Sequence, residues 1–82
     1  MMQKRDELLV ILMEECGELI QECSKIIRFD ADNTGLQKEA GDVLAMLMLA
    51  NEKNLIDIYE LMKRVEVKRE KLRQYSNIMH EE

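Results

Sequence analysis

The sequence predicts a small all-α protein, and three observations lead to this fold class. The chain of 82 residues contains no proline and few aromatic residues. Met, Leu, Glu and Lys dominate it, and these residues favour helix over sheet. Apolar residues recur at spacings of three and four in three separate segments, as on helix faces. At this length we expect one domain, residues 1–82, that buries too little surface to be very stable alone.

The first helix is predicted from near Lys4 to Arg28, because eight apolar residues fill one arc of a helical wheel. These residues are Leu9, Leu12, Cys16, Leu19, Ile20, Cys23, Ile26 and Ile27. Gly17 interrupts the helix and leaves room for another helix to approach closely. Two turns separate Cys16 from Cys23 by about 10 Å, too far for a disulfide. We therefore expect two reduced, buried thiols that only fill space, in a cytoplasmic protein.

The second helix is predicted to open at Thr34, which forms a capping-box pattern with Gln37, and to continue to about Lys53. Its centre, Val43 to Ala50, is eight consecutive apolar residues, VLAMLMLA. A helix that is apolar on all sides needs cover on more than one side. Three helices of one short chain cannot supply that cover. We therefore expect a three-helix protomer that completes a four-helix-bundle-type core as a homodimer or homotetramer.

The third helix is predicted after a joint at Asn54 and Leu55. Asp57 is its expected N-cap, and Glu60, three residues later, completes a capping-box pattern. Its apolar stripe continues toward Tyr75. Half of the twelve basic residues lie on it: Lys63, Arg64, Lys68, Arg69, Lys71 and Arg73. By spacing alone, a solvated face paired with Glu66 and Glu70 is the favoured interpretation. The alternative is a surface that binds a metal-chelated polyphosphate.

Charge and hydropathy exclude two classes of partner. The formal net charge of −5 argues against binding a nucleic-acid polymer through its phosphates. No apolar run reaches the roughly 18 residues that span a membrane. The polar stretch from Gln3 to Glu7 does not fit a signal peptide. We expect no membrane partner.

Two acidic groups stand out by position, Glu14-Glu15-Cys16-Gly17-Glu18 and Glu39-Ala40-Gly41-Asp42. Carboxylates three residues apart lie on one side of a helix, so two such pairs on facing helices can surround a cation. On the wheel Glu15 borders the apolar arc and Glu18 follows it, whereas Glu14 points to solvent. We expect no basic residue at i±4 to neutralise both Glu39 and Asp42. The predicted metal ligands are Glu15, Glu18, Glu39 and Asp42.

The ligand chemistry indicates which metal such a site would hold. Every candidate is a carboxylate, and His80 lies in the tail. A di-iron site would use Glu-x-x-His pairs, and zinc would use His or Cys. Oxygen ligands alone favour Mg²⁺ or Mn²⁺. Glu-Glu-x-x-Glu by itself is common on solvated faces. With Glu-x-x-Asp added beside an apolar helix segment, a metal site and a solvated face are about equally supported.

The combined motif resembles that of the MazG-like nucleoside triphosphate pyrophosphohydrolases, which are all-α enzymes. It reads EECGE, then twenty residues, then EAGD. The resemblance extends through AGDVLAMLMLAN and the following Ile-Asp helix start, and it covers roughly Leu9 to Leu72. Lys68 falls where that family often carries a lysine. Both motif halves together are fairly specific, and neither half is specific alone.

The resemblance implies an oligomeric helical bundle that uses Mg²⁺ to hydrolyse a nucleoside triphosphate to its monophosphate and pyrophosphate. Carried over to this chain, it makes Glu15, Glu18, Glu39 and Asp42 the metal ligands. Glu15 or Glu18 would also orient the attacking water or take its proton. Lys68 would contact phosphate, with Lys71 assisting and Asn51 near the same site further along the second helix.

Two other functions remain open at this point. Phosphoribosyl-ATP pyrophosphohydrolase, of the same superfamily, has similar acidic helices but usually ends soon after its third helix begins. The long basic third helix therefore favours the MazG-like function. A non-catalytic helical binding module would keep the carboxylates as a solvated seam and use the basic helix to dock an acidic partner.

Overall fold

The computed structural model describes residues 1–80, and these residues form three helices and no strand. Helix α1 spans Lys4–Phe29, α2 spans Thr34–Glu52 and α3 spans Ile58–Tyr75. The all-α class is confirmed. Each predicted helix end lies within about one residue of the observed one, inside the usual variation in assigning helix ends.

Backbone and side-chain groups of polar residues in the joints determine where the helices begin and end. Asp30 adopts a left-handed conformation (φ 53°) and its N–H donates to the carbonyl of Ile26, which ends α1. The predicted capping box at Thr34 is wrong: Thr34 is the first residue of α2, and its N–H donates to Asp32 Oδ1 at 3.0 Å. Asp57 caps α3 as predicted, accepting the N–H of Tyr59 at 2.8 Å.

Helices α1 and α2 pack against each other as an antiparallel hairpin. At its open end Leu8 and Ile11 of α1 meet Met46 and Leu49 of α2 around a shallow apolar cavity of about 180 Å³. Leu8 and Ala50 are the buried apolar residues of the described chain. The small core agrees with the little surface that a chain of this length can bury.

Helix α3 extends away from this hairpin and contains no buried residue. Its first N–H group, of Ile58, donates to Asn51 Oδ1 at 2.9 Å and ties α3 to the end of α2. The described chain is elongated, with principal extents of 50 × 32 × 16 Å. The position of α3 leaves one side of the hairpin without cover from the same chain.

The hairpin exposes much apolar surface. Ile20 of α1 is 69% exposed, and Leu44 and Met48 of α2 are each 57% exposed. Cys16 and Cys23 are free thiols, as predicted, but both are exposed, so their predicted burial is wrong for the single chain. They lie on the same side of α1 as Ile20, beyond the reach of α2. Within the described residues, no helix is long and apolar enough to cross a membrane.

Candidate metal centre

The hairpin brings acids from α1 and α2 together halfway along its length. Glu15, Glu39 and Asp42 each offer one carboxylate oxygen, and these oxygens lie within 4.8 Å of one another. Glu15 and Asp42 are half-buried and Glu39 is only 9% exposed. Because Glu39 and Asp42 are three residues apart on α2, both point toward the same turn of α1. We call these three residues the acidic cluster.

Two oxygens of the acidic cluster are buried and have no hydrogen-bond partner among the described residues, Glu15 Oε2 and Glu39 Oε2. An unpartnered buried carboxylate oxygen is unfavourable, and most such atoms in proteins are paired or bind a cation. Convergent carboxylate oxygens without nitrogen or sulfur are suited to a hard divalent cation. The residues present therefore fit Mg²⁺ or Mn²⁺.

The like charges of the acidic cluster and its neighbour Glu18 perturb their acidity. Burial, followed by the charges of Glu18 and Asp42, raises the pKa of Glu15 from 4.5 to about 7. A hydrogen bond to Glu39 and the charge of Glu39 raise the pKa of Glu18. Burial opposes ionisation of Glu39, but hydrogen bonds from Lys38 and Glu18 outweigh it and lower the pKa of Glu39. In the metal-free protein the ionisation of each of these acids therefore depends on that of the others.

Lys38 is the functional candidate that the sequence analysis missed. Its Nζ lies 3.2 Å from Glu39 Oε1 and 3.5 Å from Asp42 Oδ2. The expectation that no basic residue neutralises both acids is therefore wrong. Lys38 directly precedes Glu39 and stands four residues before Asp42, so its long side chain reaches both carboxylates. The i,i+4 relation to Asp42 was the available signal.

Glu18 and Glu14 take different positions around the acidic cluster. Glu18 is exposed and lies outside the three convergent oxygens, but it is close enough to Glu39 and Glu15 for these carboxyls to perturb its pKa. Its role as a ligand stays a prediction. Glu14 is exposed, in agreement with the wheel, and does not join the acidic cluster.

The predicted phosphate-binding residues lie outside the acidic cluster of this chain. Asn51 is nine residues beyond Asp42, about 13 Å along the helix axis. Its Oδ1 is engaged by the N–H of Ile58, and it lines an open cavity at the α2–α3 joint with Asn54, Asp57 and Tyr59. Lys68 and Lys71 are exposed on α3. Their contact with substrate stays a prediction.

Comparison with known proteins gives one match. Residues 3–75 match a family model described as the MazG nucleotide pyrophosphohydrolase domain. The match covers both acidic pairs and all of the three helices. No curated protein and no solved structure matches the chain.

Proposed function

The chain belongs to the family of MazG nucleotide pyrophosphohydrolase domains, and on this premise we propose that it is a Mg²⁺-dependent hydrolase of nucleoside triphosphates. Its products would be the nucleoside monophosphate and pyrophosphate. The observation that carries the proposal is the pair of buried, unpartnered oxygens of Glu15 and Glu39 beside Asp42. A non-catalytic seam gives no reason to bury carboxylate oxygens without partners.

The proposed ligands are Glu15, Glu39 and Asp42, with Glu18 as the fourth. Glu39 is the most buried of the four, so it would hold the ion deepest between the helices. Mg²⁺ or Mn²⁺ bound here would neutralise the triphosphate and activate a water for attack. The exposed rim position of Glu18 leaves its carboxylate accessible to solvent and substrate.

Glu18 or Glu15 would act as the general base. In the metal-free protein the pKa of each is raised, which brings a carboxylate closer to the range where a base works best near neutral pH, and Glu18 is also exposed. The base would take a proton from the water that attacks phosphorus, while the α–β anhydride bond breaks. Lys68 and Lys71 would offset the charge that develops on the departing pyrophosphate.

We also propose that the working form is a homodimer or homotetramer. The exposed side chains of Met13, Ile20 and Ile27 lie on one side of α1 at a spacing of seven residues, and we call them the apolar stripe. Gly17 has no atom within 4 Å of the position that a Cβ would take, so no helix of the same chain uses this opening. A second copy packed here would cover the stripe and complete a four-helix bundle.

A pyrophosphate-release assay over all common NTPs and dNTPs, with Mg²⁺ and with Mn²⁺, tests the proposed activity. We expect release of pyrophosphate from at least one of them, and complete loss of activity with a chelator. Phosphoribosyl-ATP in the same panel separates the rival hydrolase, which would prefer it. If no substrate reacts and calorimetry finds no binding at millimolar metal, the chain is a binding module and the proposal fails.

A further inference from the structure

Lys38 contacts the acidic cluster from its outer edge. Its ammonium group pairs with Glu39 Oε1 and Asp42 Oδ2, whereas the buried, unpartnered oxygen of the same glutamate is Oε2. Lys38 therefore leaves the inner side of the acidic cluster open. Among residues 1–80, it is the only lysine or arginine within ion-pair distance of these three carboxylates.

The Lys38 side chain is 71% exposed, in contrast to the 11% of Glu39. A long side chain anchored only at its charged end exchanges one partner for another easily, since an exposed ion pair contributes little. A divalent ion bound to the inner carboxylate oxygens would neutralise the negative charge that attracts the Lys38 ammonium. It would also repel the ammonium directly.

We propose that Lys38 is a displaceable counter-ion: it neutralises Glu39 and Asp42 in the metal-free protein and turns to the triphosphate when metal and nucleotide bind. This inference rests on the proposed function, because it needs the metal and a polyphosphate at the same site. In the complex the ammonium would donate charge-assisted hydrogen bonds to phosphate oxygens. Lys38 is then a substrate-positioning residue, and it competes with the metal.

Because Lys38 competes with the metal but binds the nucleotide, removing its charge should strengthen metal binding and weaken nucleotide binding. Lys38→Met keeps most of the side-chain length and removes the charge. Without the competing ammonium, Mg²⁺ alone should bind about threefold more tightly, the effect of one exposed ion pair. At saturating Mg²⁺, the KM for the nucleotide should rise about tenfold, the effect of one charge-assisted hydrogen bond, while kcat changes less than about threefold.

Lys63→Met is the matched control. Lys63 is 73% exposed and pairs with Glu60 at 3.1 Å, but it lies on α3 and contacts no acid of the cluster. Calorimetry with MgCl₂ and steady-state kinetics with the best wild-type substrate should find Lys63→Met equal to wild type. Lys38→Arg should stay within about threefold of wild type in both measurements, because the charge is retained.

The outcomes separate this inference from the proposed function. If the wild-type protein binds no metal and hydrolyses no nucleotide, the proposed function fails and the inference fails with it. If the wild type is active but Lys38→Met matches Lys63→Met, only the counter-ion role is overturned. Weaker binding of Mg²⁺ to Lys38→Met would also overturn it, since Lys38 would then be holding the ligands in place.

Discussion

Replacing Glu39 by Gln changes the most buried acid of the cluster with almost no change of shape. We expect hydrolysis to fall by at least about a hundredfold, because the ligand held deepest between α1 and α2 is lost. Helical content should stay the same, since the hydrogen bond recorded for the Glu39 side chain goes to Lys38 Nζ and not to the backbone of either helix. The ion pair with Lys38 favours the ionised form of Glu39 and helps to lower its pKa, so the metal-free Gln variant should be less stable than the wild type near neutral pH.

The metal's effect on stability gives this variant a second readout. A ligand that binds only the folded state stabilises it by about 1.4 kcal/mol when its concentration is about ten times Kd. For a chain of this size that raises Tm by about 6 to 11 °C. The wild type should show this rise on addition of Mg²⁺ in a circular-dichroism melt. Glu39→Gln should show little or none of it at the same concentration.

Glu14→Gln is the control for Glu39→Gln. Glu14 belongs to the same motif, but its side chain is exposed and remains outside the acidic cluster. The activity of Glu14→Gln should stay within about threefold of wild type, and its rise in Tm with Mg²⁺ should stay within about 2 °C of the wild-type rise, because the substitution lies away from the site. Full activity of Glu39→Gln, or equal losses in Glu14→Gln, would refute the assignment of the ligands.

Three further predictions concern pH, association and capping. Burial and neighbouring charges raise the pKa of Glu15 to about 7, so its contribution to stability is present below pH 4.5 and is lost as pH rises through about 7. Thermal unfolding of the metal-free protein should show this loss of stability. Calorimetry should find weaker Mg²⁺ binding below pH 7, because the proton on Glu15 competes with the metal. Ile20→Lys should shift the mass measured by light scattering toward that of a monomer. Gln21→Lys adds the same charge one residue away and should leave the mass unchanged. If the Ile20→Lys variant is still oligomeric, the apolar stripe of α1 is not the interface. Asp57→Ala should lower stability by about 1 kcal/mol through loss of the α3 cap, and Thr34→Ala should change it by less than half of that; equal losses in denaturant unfolding would contradict the capping assignment.

The helices were predictable from the sequence because their determinants are local. Apolar spacing and the Asp57 cap place the ends of α1 and α3 to within about one residue. The error at Thr34 has a local cause as well. The carboxylate of Asp32, two residues earlier, accepts the hydrogen bond from the N–H of Thr34. A pattern of two polar residues cannot show which of several neighbouring acceptors is used.

The packing of the helices was less predictable. The wheel gives α1 an apolar arc wider than one partner helix can cover. It cannot tell which part of that arc α2 covers. Cys16 and Cys23 lie on the uncovered part, so they are exposed in the single chain. The same limit applies to α3, whose apolar stripe was evident although its separation from the hairpin was not.

In the candidate site, spacing predicted three acids that converge but not their charge balance. Glu15, Glu39 and Asp42 meet as expected, whereas Glu18, the i+3 partner of Glu15, lies outside their oxygens. Lys38 was overlooked because a cation that serves two acids need not stand four residues from both. The role of Asn51 in substrate binding, taken from the resemblance, stays a prediction, and spacing gave no sign that its Oδ1 accepts the N–H of Ile58 and joins α2 to α3.

The most direct test of the central claim is a crystal structure of the protein soaked in Mn²⁺, with an anomalous difference map recorded at the manganese edge. We predict a peak bonded to oxygens of Glu15, Glu39 and Asp42, with Lys38 Nζ moved away from Glu39. A map with manganese bound only elsewhere, or with no peak at saturating Mn²⁺ and an intact Lys38–Glu39 pair, would contradict a metal centre in the hairpin.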